Sequence, residues 1–450
     1  MLSTASIPSS RNPILRNSEG IYVPSLTLQV KTDHRVTDVV ARLQNAGYET
    51  YIVGGAVRDF LLDREPKDYD ISTSATPEQV KAVFRDRRAM IIGRRFRLVH
   101  LYLGGNILEI STFRKCPSRS AQADRPPRVS DAPDAMIFND NEFGTADDDA
   151  HRRDFTVNAL FYDPVADRIA DFTGMGMEDL KAGIVRSIGE PELRFEEDPV
   201  RILRALKLIG QYGFRMEEHT EAALRKAMPL MVHASISRLT LELEKILKNG
   251  HGDSILEVFH QYGFLPYFLP ELDREWDTPA GQYAMELFAC RNRRMRAGAY
   301  RDSMSLAIAL LTLPFAEKEN GSSIGGLWKL HDGIESEFLH QMHKVFSPLI
   351  LTRRSCSAAL RSLCAQTKLR AARNEKNIRP SPVYPTAREL ALIQNEVQWH
   401  IPGFEELLPP SMKLGPPGGK RRPRRHHRRR PGQQEKPAAL PPSGEVDHAH

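Results

Sequence analysis

Cysteine is scarce in this sequence, with four residues in a chain of 450. Cys116, Cys290, Cys356 and Cys364 are scattered and form no Cys-x-x-Cys pair. A chain of this length does not need disulfide cross-links to hold its core together. The pattern is therefore not that of a disulfide scaffold, and we expect reduced thiols and a cytoplasmic location.

The sequence also lacks a hydrophobic run long enough to cross a membrane. The longest apolar stretches, such as Ser305 to Phe315, are shorter than the roughly 20 residues that a membrane-spanning helix needs. Hydrophobic residues make up 41% of the chain and charged residues 27%, which is the balance of a globular protein. Because 450 residues exceed one ordinary core, we predict a multidomain protein, without a membrane partner and monomeric.

Acidic residues are missing from two stretches near the ends of the chain, residues 1–17 and 412–431. Residues 1–35 form a predicted N-terminal extension; its first part, through Asn17, has Arg11, Arg16 and no acid, which favours a disordered start over a targeting signal. Residues 411–450 form a predicted disordered basic tail that is poor in apolar side chains. We interpret this tail as an RNA-binding arm, with a solubilising end as the alternative. Its cationic residues are Lys420, Arg421, Arg422, Arg424, Arg425, Arg428, Arg429 and Arg430.

The remaining chain divides by its hydrophobic pattern. Residues 36–180 alternate short β-rich runs with helical patterns, which predicts an α/β or α+β head. Within it, Gly104-Gly105 is flanked by two β-rich runs and predicts a hairpin. Residues 181–250 and 251–410 are helically periodic, which predicts an all-α neck and an all-α body.

Two aspartates in Lys67-Asp68-Tyr69-Asp70-Ile71 are candidates for metal binding. Side chains two positions apart on a strand project from one face, so Asp68 and Asp70 can converge. Carboxylates of this kind favour Mg²⁺ together with nucleotide phosphates. An acidic strand end at the surface is the alternative interpretation.

A glycine pair precedes these acids. Gly54 and Gly55 follow a predicted strand and open a predicted helix, where bare N–H groups and the positive helix end can receive phosphates. Arg58 lies just inside that helix. We therefore predict a nucleotide and its metal ions in one cleft, although a lone glycine pair is more often a tight turn.

Four motifs resemble, in order, those of the family of class II tRNA nucleotidyltransferases and bacterial poly(A) polymerases. The resemblance implies a nucleotidyltransferase head of mixed β-sheet and helices, followed by an all-helical neck and body. The motifs are GGAVRDFLL from Gly54, KDYDI from Lys67, RRDFTVNAL from Arg152 and EEDPVRILRA from Glu196.

The resemblance also implies roles for individual residues. Asp68 and Asp70 would be catalytic and hold two Mg²⁺ ions, and Asp154 would be the third acid of the site. Arg153 would contact the nucleotide. Glu109 on the predicted hairpin competes with Asp154 for the role of third acid.

The neck is expected to select the incoming base. Asp198, Arg201 and Arg204 match the family motif, and a spacing of three places both arginines on one helical face. A guanidinium and a carboxylate can hydrogen-bond a base edge without a template. Surface ion pairing is the alternative interpretation.

The segment Ile91–His100 resembles one that distinguishes bacterial poly(A) polymerases, and in it Arg94, Arg95 and Arg97 are predicted to bind RNA. The expected reaction is AMP transfer from ATP to RNA 3′-hydroxyls. RNA-degradation or RNA-chaperone proteins are expected partners. A CCA-adding tRNA nucleotidyltransferase and a non-catalytic RNA-binding protein are the alternative functions.

Overall fold

The computed structural model describes most of the chain. The described residues are 14–16, 21–24, 33–66, 68–93, 97–115, 142–300, 303–319, 334–366, 369 and 382–408. Arg94, Arg95 and the predicted tail lie outside them. Within the described residues no helix is long and apolar enough to cross a membrane.

Nine described strands form one mixed sheet in the order β1-β2-β9-β8-β3-β4-β7-β6-β5. The pair β4 and β7 is parallel, and the other neighbouring pairs are antiparallel. The strands are β1 Ile14–Arg16, β2 Ile21–Pro24, β3 Thr50–Val53, β4 Asp70–Thr73, β5 Ala89–Ile92, β6 Leu98–Leu103, β7 Asn106–Thr112, β8 Phe161–Asp163 and β9 Arg168–Ala170. A separate parallel pair joins β10 Ile184–Val185 to β11 Arg215–Met216.

The head contributes short helices around this sheet, and the rest of the described chain is mainly helical. The head helices are α1 His34–Asn45, α2 Gly55–Leu61, α3 Pro77–Val83, α4 Ala146–His151 and α5 Gly176–Ala182. The later helices are α6 Pro191–Glu197, α7 Val200–Tyr212, α8 Glu218–Ala227, α9 Ile236–Leu247, α10 Gly252–Gln261, α11 Leu265–Phe268, α12 Pro270–Arg274, α13 Pro279–Arg296, α14 Met304–Glu319, α15 Ile334–Phe346, α16 Arg353–Cys364, α17 Tyr384–Gln394 and α18 Phe404–Leu407. Three further short helical turns are Thr156–Asn158, Met228–His233 and Asn395–Trp399.

Local sequence explains several element boundaries. At the start of α3 the Thr76 side chain accepts from the Gln79 backbone N–H, and the Gln79 side chain accepts from the Thr76 backbone N–H. Pro77 lies in the first turn of this helix. The predicted hairpin is present as β6 and β7. Gly104 and Gly105 form its turn with φ values of 55° and 104°, in the left-handed region that favours glycine. The mixed-sheet head followed by helices is thus confirmed.

Two boundaries differ from the expectation. Strands β1 and β2 lie within the predicted N-terminal extension, and β2 pairs with β9 at the side of the sheet. In addition, β4 starts at Asp70, so Asp68 precedes the strand. Asp70 pairs with Val53, which is the last residue of β3. The strand pairing stops there because Gly54, at φ 74°, turns the chain into α2.

One hydrophobic cluster extends from the head through the neck into the body. It includes α1 residues such as Val39, sheet residues such as Ile71 and Leu101, and body residues such as Leu310. The described residues, the last of which is Leu408, belong to one compact unit. The head sheet therefore packs one face into this cluster, and side chains of its other face, such as Val53 and Phe161, form a second, smaller cluster.

Candidate active site

Asp70 and Glu109 lie side by side on the head sheet. Asp70 is in register with Glu109 across the parallel pair of β4 and β7. Glu109 is in turn in register with His100 on β6, and His100 Nε2 lies 3.3 Å from Glu109 Oε1. Because residues in register share a face, the two carboxylates are neighbours on the face that points away from the core. Asp68 adds a third exposed carboxyl just ahead of β4.

The electrostatics of Asp70 reflect this crowding of acids. The protein packed around its carboxyl reduces solvation and raises its pKa, and the negative charge of Glu109 raises it further. Arg153 and Lys245 act in the opposite direction without cancelling the effect, while Asp68 adds to the rise. The Asp70 carboxylate is therefore favoured by any positive charge placed beside it. Lys245 belongs to α9, so the neck faces this part of the head.

Arg153 lies between the acids and the glycine turn. Its Nη2 donates to Asp149 Oδ2 at 2.8 Å and to Ser72 Oγ at 3.4 Å, and its guanidinium lies 5.0 Å from the Phe161 ring centroid. A Cβ atom at Gly54 would come within 3.3 Å of Arg153 Nη1. Glycine at position 54 therefore permits both the positive φ and the close approach of Arg153.

Asp149 holds Arg153 in place and was missed by the sequence analysis. It is 1% exposed and also accepts from Arg152 Nε at 3.0 Å. Burial alone would raise its pKa, but the charges of Arg153 and Arg152 outweigh burial and lower it. The spacing of Asp149 and Arg153 by four, across the end of α4, could have indicated this pair.

Asp154 lies on the neck side of the site. Its Oδ1 accepts from Phe155 N at 2.9 Å and from Asn158 Nδ2 at 3.0 Å. Its Oδ2 lies 3.6 Å from Arg204 Nη1 of α7. The acid in register with Asp70 is therefore Glu109, whereas Asp154 connects the head to the neck. The role of Asp154 as a third catalytic acid stays a prediction.

The three neck residues predicted to select the base have different environments. Asp198 accepts from both Nη atoms of Arg238 at 2.8 and 2.7 Å. Burial would raise the pKa of Asp198, yet Arg238 outweighs it and the pKa is lowered. Arg204 is partly exposed beside Asp154.

Arg201 differs from the expectation that it shares an open face with Arg204. It is buried, and its Nη1 donates to the carbonyl of Arg194 at 2.7 Å and to Glu197 Oε2 at 3.3 Å. The Arg194 carbonyl also accepts from the Asp198 backbone N–H at 3.3 Å, so the guanidinium is a second donor to this carbonyl near the end of α6. Arg201 thus packs against α6, and its contact with a base stays a prediction.

Arg58 lies at a joint between the head and the neck. It is buried, and its Nη1 donates to Asn158 Oδ1 at 2.5 Å while its Nη2 donates to Tyr212 Oη at 2.6 Å. Tyr212 Oη donates to Asp59 Oδ1 at 2.7 Å, and Asp59 also accepts from Arg58. These contacts occupy the guanidinium, so a nucleotide contact by Arg58 also stays a prediction.

Two observations remain, one on the predicted residue Arg97 and one on a neck carboxylate, Glu242, that was not predicted. Arg97 is exposed and pairs with Glu78 of α3. On the neck, Glu242 accepts from Lys207 Nζ at 2.5 Å and from Lys245 Nζ at 2.9 Å. Glu242, Lys245 and Arg238 were not identified from the sequence, because nothing local marks a partner that lies on another helix.

The described residues contain no cluster of three or more His, Cys, Asp or Glu side chains that could by itself hold a metal ion. Mg²⁺ is commonly bound by one or two carboxylates with water and substrate phosphates, so a closed cage is not required. Asp70 and Glu109, adjacent in register on β4 and β7, fit such an open site.

Two family models match the chain. Residues 50–186 match the poly A polymerase head domain, and residues 213–275 match the probable RNA and SrmB-binding site of polymerase A. The first match contains the acids and the glycine turn. The second contains Arg238 and Glu242.

Curated relatives are of two kinds. Poly(A) polymerase I of Haemophilus influenzae is 40% identical over 247 residues, which cover 55% of this chain and 54% of that protein. Poly(A) polymerase I of Escherichia coli O157:H7 is 37% identical over 277 residues, covering 60% of this chain and 58% of that protein. A CCA-adding enzyme of Lactobacillus helveticus is 39% identical over 221 residues, covering 49% and 51%. The chain thus aligns with less than two thirds of the length of these relatives.

Among solved structures, the Bacillus stearothermophilus CCA-adding enzyme in complex with CTP aligns with a TM-score of 0.57 at 25% identity, covering 83% of this chain and 80% of that chain. The mixed sheet with its adjacent acids, followed by helices that face them, defines a nucleotidyltransferase head with a helical neck and body. The head and RNA-binding models match in order, so over its head and neck the chain is similar to poly(A) polymerases and CCA-adding enzymes. The predicted family resemblance is confirmed.

Proposed function

We propose that the protein is a template-independent poly(A) polymerase that transfers AMP from ATP to RNA 3′-hydroxyls and releases pyrophosphate. The observation that carries this proposal is the Asp70 and Glu109 pair, in register on one sheet face and opposite the cationic Lys245 of the neck. Relatives named Poly(A) polymerase I, at 35–40% identity, support the choice of reaction.

The acids are the proposed binding site for Mg²⁺. Asp70 and Glu109 would bind it directly, with Asp68 close enough to contribute. Two bound Mg²⁺ ions would favour deprotonation of the RNA 3′-hydroxyl and neutralise charge on the departing pyrophosphate. The protein then has to hold the two substrates in line, because positioning and charge neutralisation supply most of the catalysis.

The proposed triphosphate site is the turn before α2. Gly54 and Gly55 place no side chain at the start of α2, and Arg153 places its guanidinium against this turn, held there by Asp149. A guanidinium fixed in this way can neutralise phosphate oxygens without first having to be ordered. Arg204, on the neck side, is placed to interact with the same nucleotide.

Base selection is assigned to Asp198, with Arg201 and Arg204 on the same helix. Arg238 binds both oxygens of Asp198 and so restricts that carboxylate to one orientation. A single orientation suits recognition of one base. An enzyme that accepts cytosine and then adenine has to present two orientations of the group that recognises the base.

The experiment is to incubate the purified protein with Mg²⁺, a short single-stranded RNA and each NTP singly. ATP should be added repeatedly without a stop after one residue, and CTP should be used far less well. Asp70→Asn is the matched control for contaminating activity. An inactive wild-type protein with all four nucleotides would contradict the proposal and favour a non-catalytic RNA-binding protein.

The second candidate function is CCA addition. It is favoured by the solved CCA-adding enzyme at a TM-score of 0.57 and by a CCA-adding relative at 39% identity. On a tRNA lacking its end, incorporation of two C residues and one A, with poor tailing of other RNAs, would establish this alternative. The cytoplasmic location and the protein partners expected from the sequence stay predictions.

A further inference from the structure

The sheet has an open face beyond the acids. On β6 and β7, alternate residues point into the core, where Val99, Leu101, Leu108 and Ile110 are at most 4% exposed. The residues between them point to the other side. With their neighbours on β5 they form the open sheet face, which consists of Met90, Ile92, Leu98, His100, Tyr102 and Ile107.

This open sheet face is apolar where it is exposed. Met90, Ile92 and Ile107 are 42%, 37% and 53% exposed. Large apolar side chains grouped on one surface commonly mark a binding site, whereas isolated ones need no explanation. Met90 and Ile92 lie on β5 and Ile107 lies on β7, with β6 between these strands, so the three share one face of the sheet.

The open sheet face is continuous with the acids. One row of residues in register runs from Asp70 through Glu109 and His100 to Met90. It crosses three strand spacings of about 4.8 Å, a distance of about 14 Å. A chain whose end lies at the acids can therefore continue across the sheet to its edge.

The face also carries groups that bind nucleic acid. The Arg88 guanidinium lies 4.4 Å from the Tyr102 ring centroid, and Arg88 Nη2 contacts Met90 Sδ at 3.7 Å. Nucleic-acid bases stack on aromatic rings and on the flat face of a guanidinium. Arg88 is exposed and adds a positive charge for the phosphate backbone.

The neck side of the acids is occupied by other groups. Lys245 of α9 is close enough to affect the pKa of Asp70, and Arg204 of α7 lies beside Asp154. Under the proposed function, the nucleotide lies between head and neck and the RNA 3′-hydroxyl reaches the acids. The preceding RNA nucleotides then need a surface that leads away from the neck.

We propose that the open sheet face binds the last few nucleotides of a single-stranded RNA 3′ end, by base stacking on Tyr102 and Arg88 and by apolar contact with Met90 and Ile107. This proposal rests on the proposed function for the direction of the strand. It defines a primer-end site on the head, separate from the matched RNA-binding region at residues 213–275.

The test compares Tyr102→Ala, Tyr102→Phe and Val165→Ala in the full chain. A short single-stranded oligoadenylate is the probe, and fluorescence anisotropy measures its affinity. Tyr102→Ala should weaken binding by about tenfold, since stacking of one base on a ring contributes about that much. Tyr102→Phe keeps the ring and should bind like the wild type. Val165, 53% exposed on the turn between β8 and β9, is the control for loss of an exposed side chain.

Nucleotide addition by the same variants gives a second readout. Tyr102→Ala should raise KM for the RNA by a similar factor and leave kcat at saturating RNA unchanged. Circular dichroism verifies that the variant is folded. If the wild type binds RNA but adds no nucleotide, the proposed function is wrong. The anisotropy of the Tyr102 variants then still shows whether the open sheet face binds RNA.

Crosslinking places the RNA end. A photoreactive thiouridine two positions before the RNA 3′ end should crosslink to peptides of β5 or β6, and the same group far from the 3′ end should not. Unchanged affinity of folded Tyr102→Ala, or crosslinks confined to the internal probe, would overturn the proposal. An equal loss for Tyr102→Phe and Tyr102→Ala would also overturn it, because the ring would not be the cause.

Discussion

Glu242 is the buried counter-ion of two lysines of the neck, Lys207 and the exposed Lys245, and Glu242→Gln should therefore destabilise the protein. The carboxylate is 6% exposed and bonds Lys207 and Lys245 at 2.5 and 2.9 Å. Lys207 is itself mostly buried, with 19% of its side chain exposed. A neutral amide at this position leaves a buried ammonium without its counter-charge, which is among the costlier single changes in a protein.

The pKa of Glu242 gives the magnitude. Burial would raise it, but the two lysines outweigh burial and lower it from 4.5 to about 2. At about 1.36 kcal/mol per pKa unit, the folded protein stabilises the charged carboxylate by about 3 kcal/mol. Burial lowers the pKa of Lys207, which works against the pair, so this is an upper value. Because the folded pKa is depressed, the stabilisation is complete above pH 4.5 and is lost as the pH falls towards about 2.

Urea denaturation of wild type, Glu242→Gln and Glu244→Gln measures this effect. At neutral pH, Glu242→Gln should lower the free energy of unfolding by up to about 3 kcal/mol, and near about pH 3 the difference should be clearly smaller. Glu244 lies on the same helix and pairs with Lys248 at 3.4 Å in an exposed position. Its replacement should cost about 0.5 kcal/mol or less. A Glu242→Gln difference no larger than that of the control, or one independent of pH, would refute the reasoning.

Three further outcomes are expected. Asp70→Asn and Glu109→Gln should each reduce AMP addition by at least about 100-fold while RNA affinity in an anisotropy assay stays within a fewfold, because the charges that would bind Mg²⁺ are removed; near-normal primer extension would rule out the acid pair as the metal site. Arg238→Ala should free Asp198 and reduce the ratio of ATP to CTP use by about tenfold, an effect that single-nucleotide kinetics would measure and that an unchanged ratio would contradict. Deletion of everything after Leu414 should weaken RNA binding and reduce the slope of log affinity against log salt by about 0.7 for each phosphate that the shortened protein no longer neutralises; the same slope with and without the tail would indicate a solubilising end.

The parts of the fold that depend on neighbouring residues could be predicted from the sequence. The cap of α3 involves Thr76 and Gln79, three positions apart, and the hairpin turn needs only its two glycines. The order of helical segments follows from local periodicity. Such features form wherever the local pattern is strong, so their prediction does not require the sheet order.

The site depended on information that no local pattern contains. Glu109 becomes the neighbour of Asp70 because β7 pairs with β4 in parallel, and sequence spacing does not reveal this pairing. The sequence therefore left both Glu109 and Asp154 as candidates. In the same way, Arg201 packs against a carbonyl of α6, and Asp198 meets Arg238 across 40 residues. Helical periodicity gives the face of a residue but not the partner that it finds there.

The joint at Arg58 limits how the head and the neck can move. Arg58 and Asp59 belong to α2, which follows the glycine turn, and Tyr212 is the last residue of α7, the helix that begins just after Asp198. A rotation of the neck about this joint would break the Arg58 bond to Tyr212 and the Tyr212 bond to Asp59, and would uncover the cation that stacks on the Tyr212 ring at 4.4 Å. Exchange of one nucleotide for the next should therefore proceed by rearrangement of side chains within a fixed frame. Successive additions would then require the RNA to slide past a site whose two walls stay together.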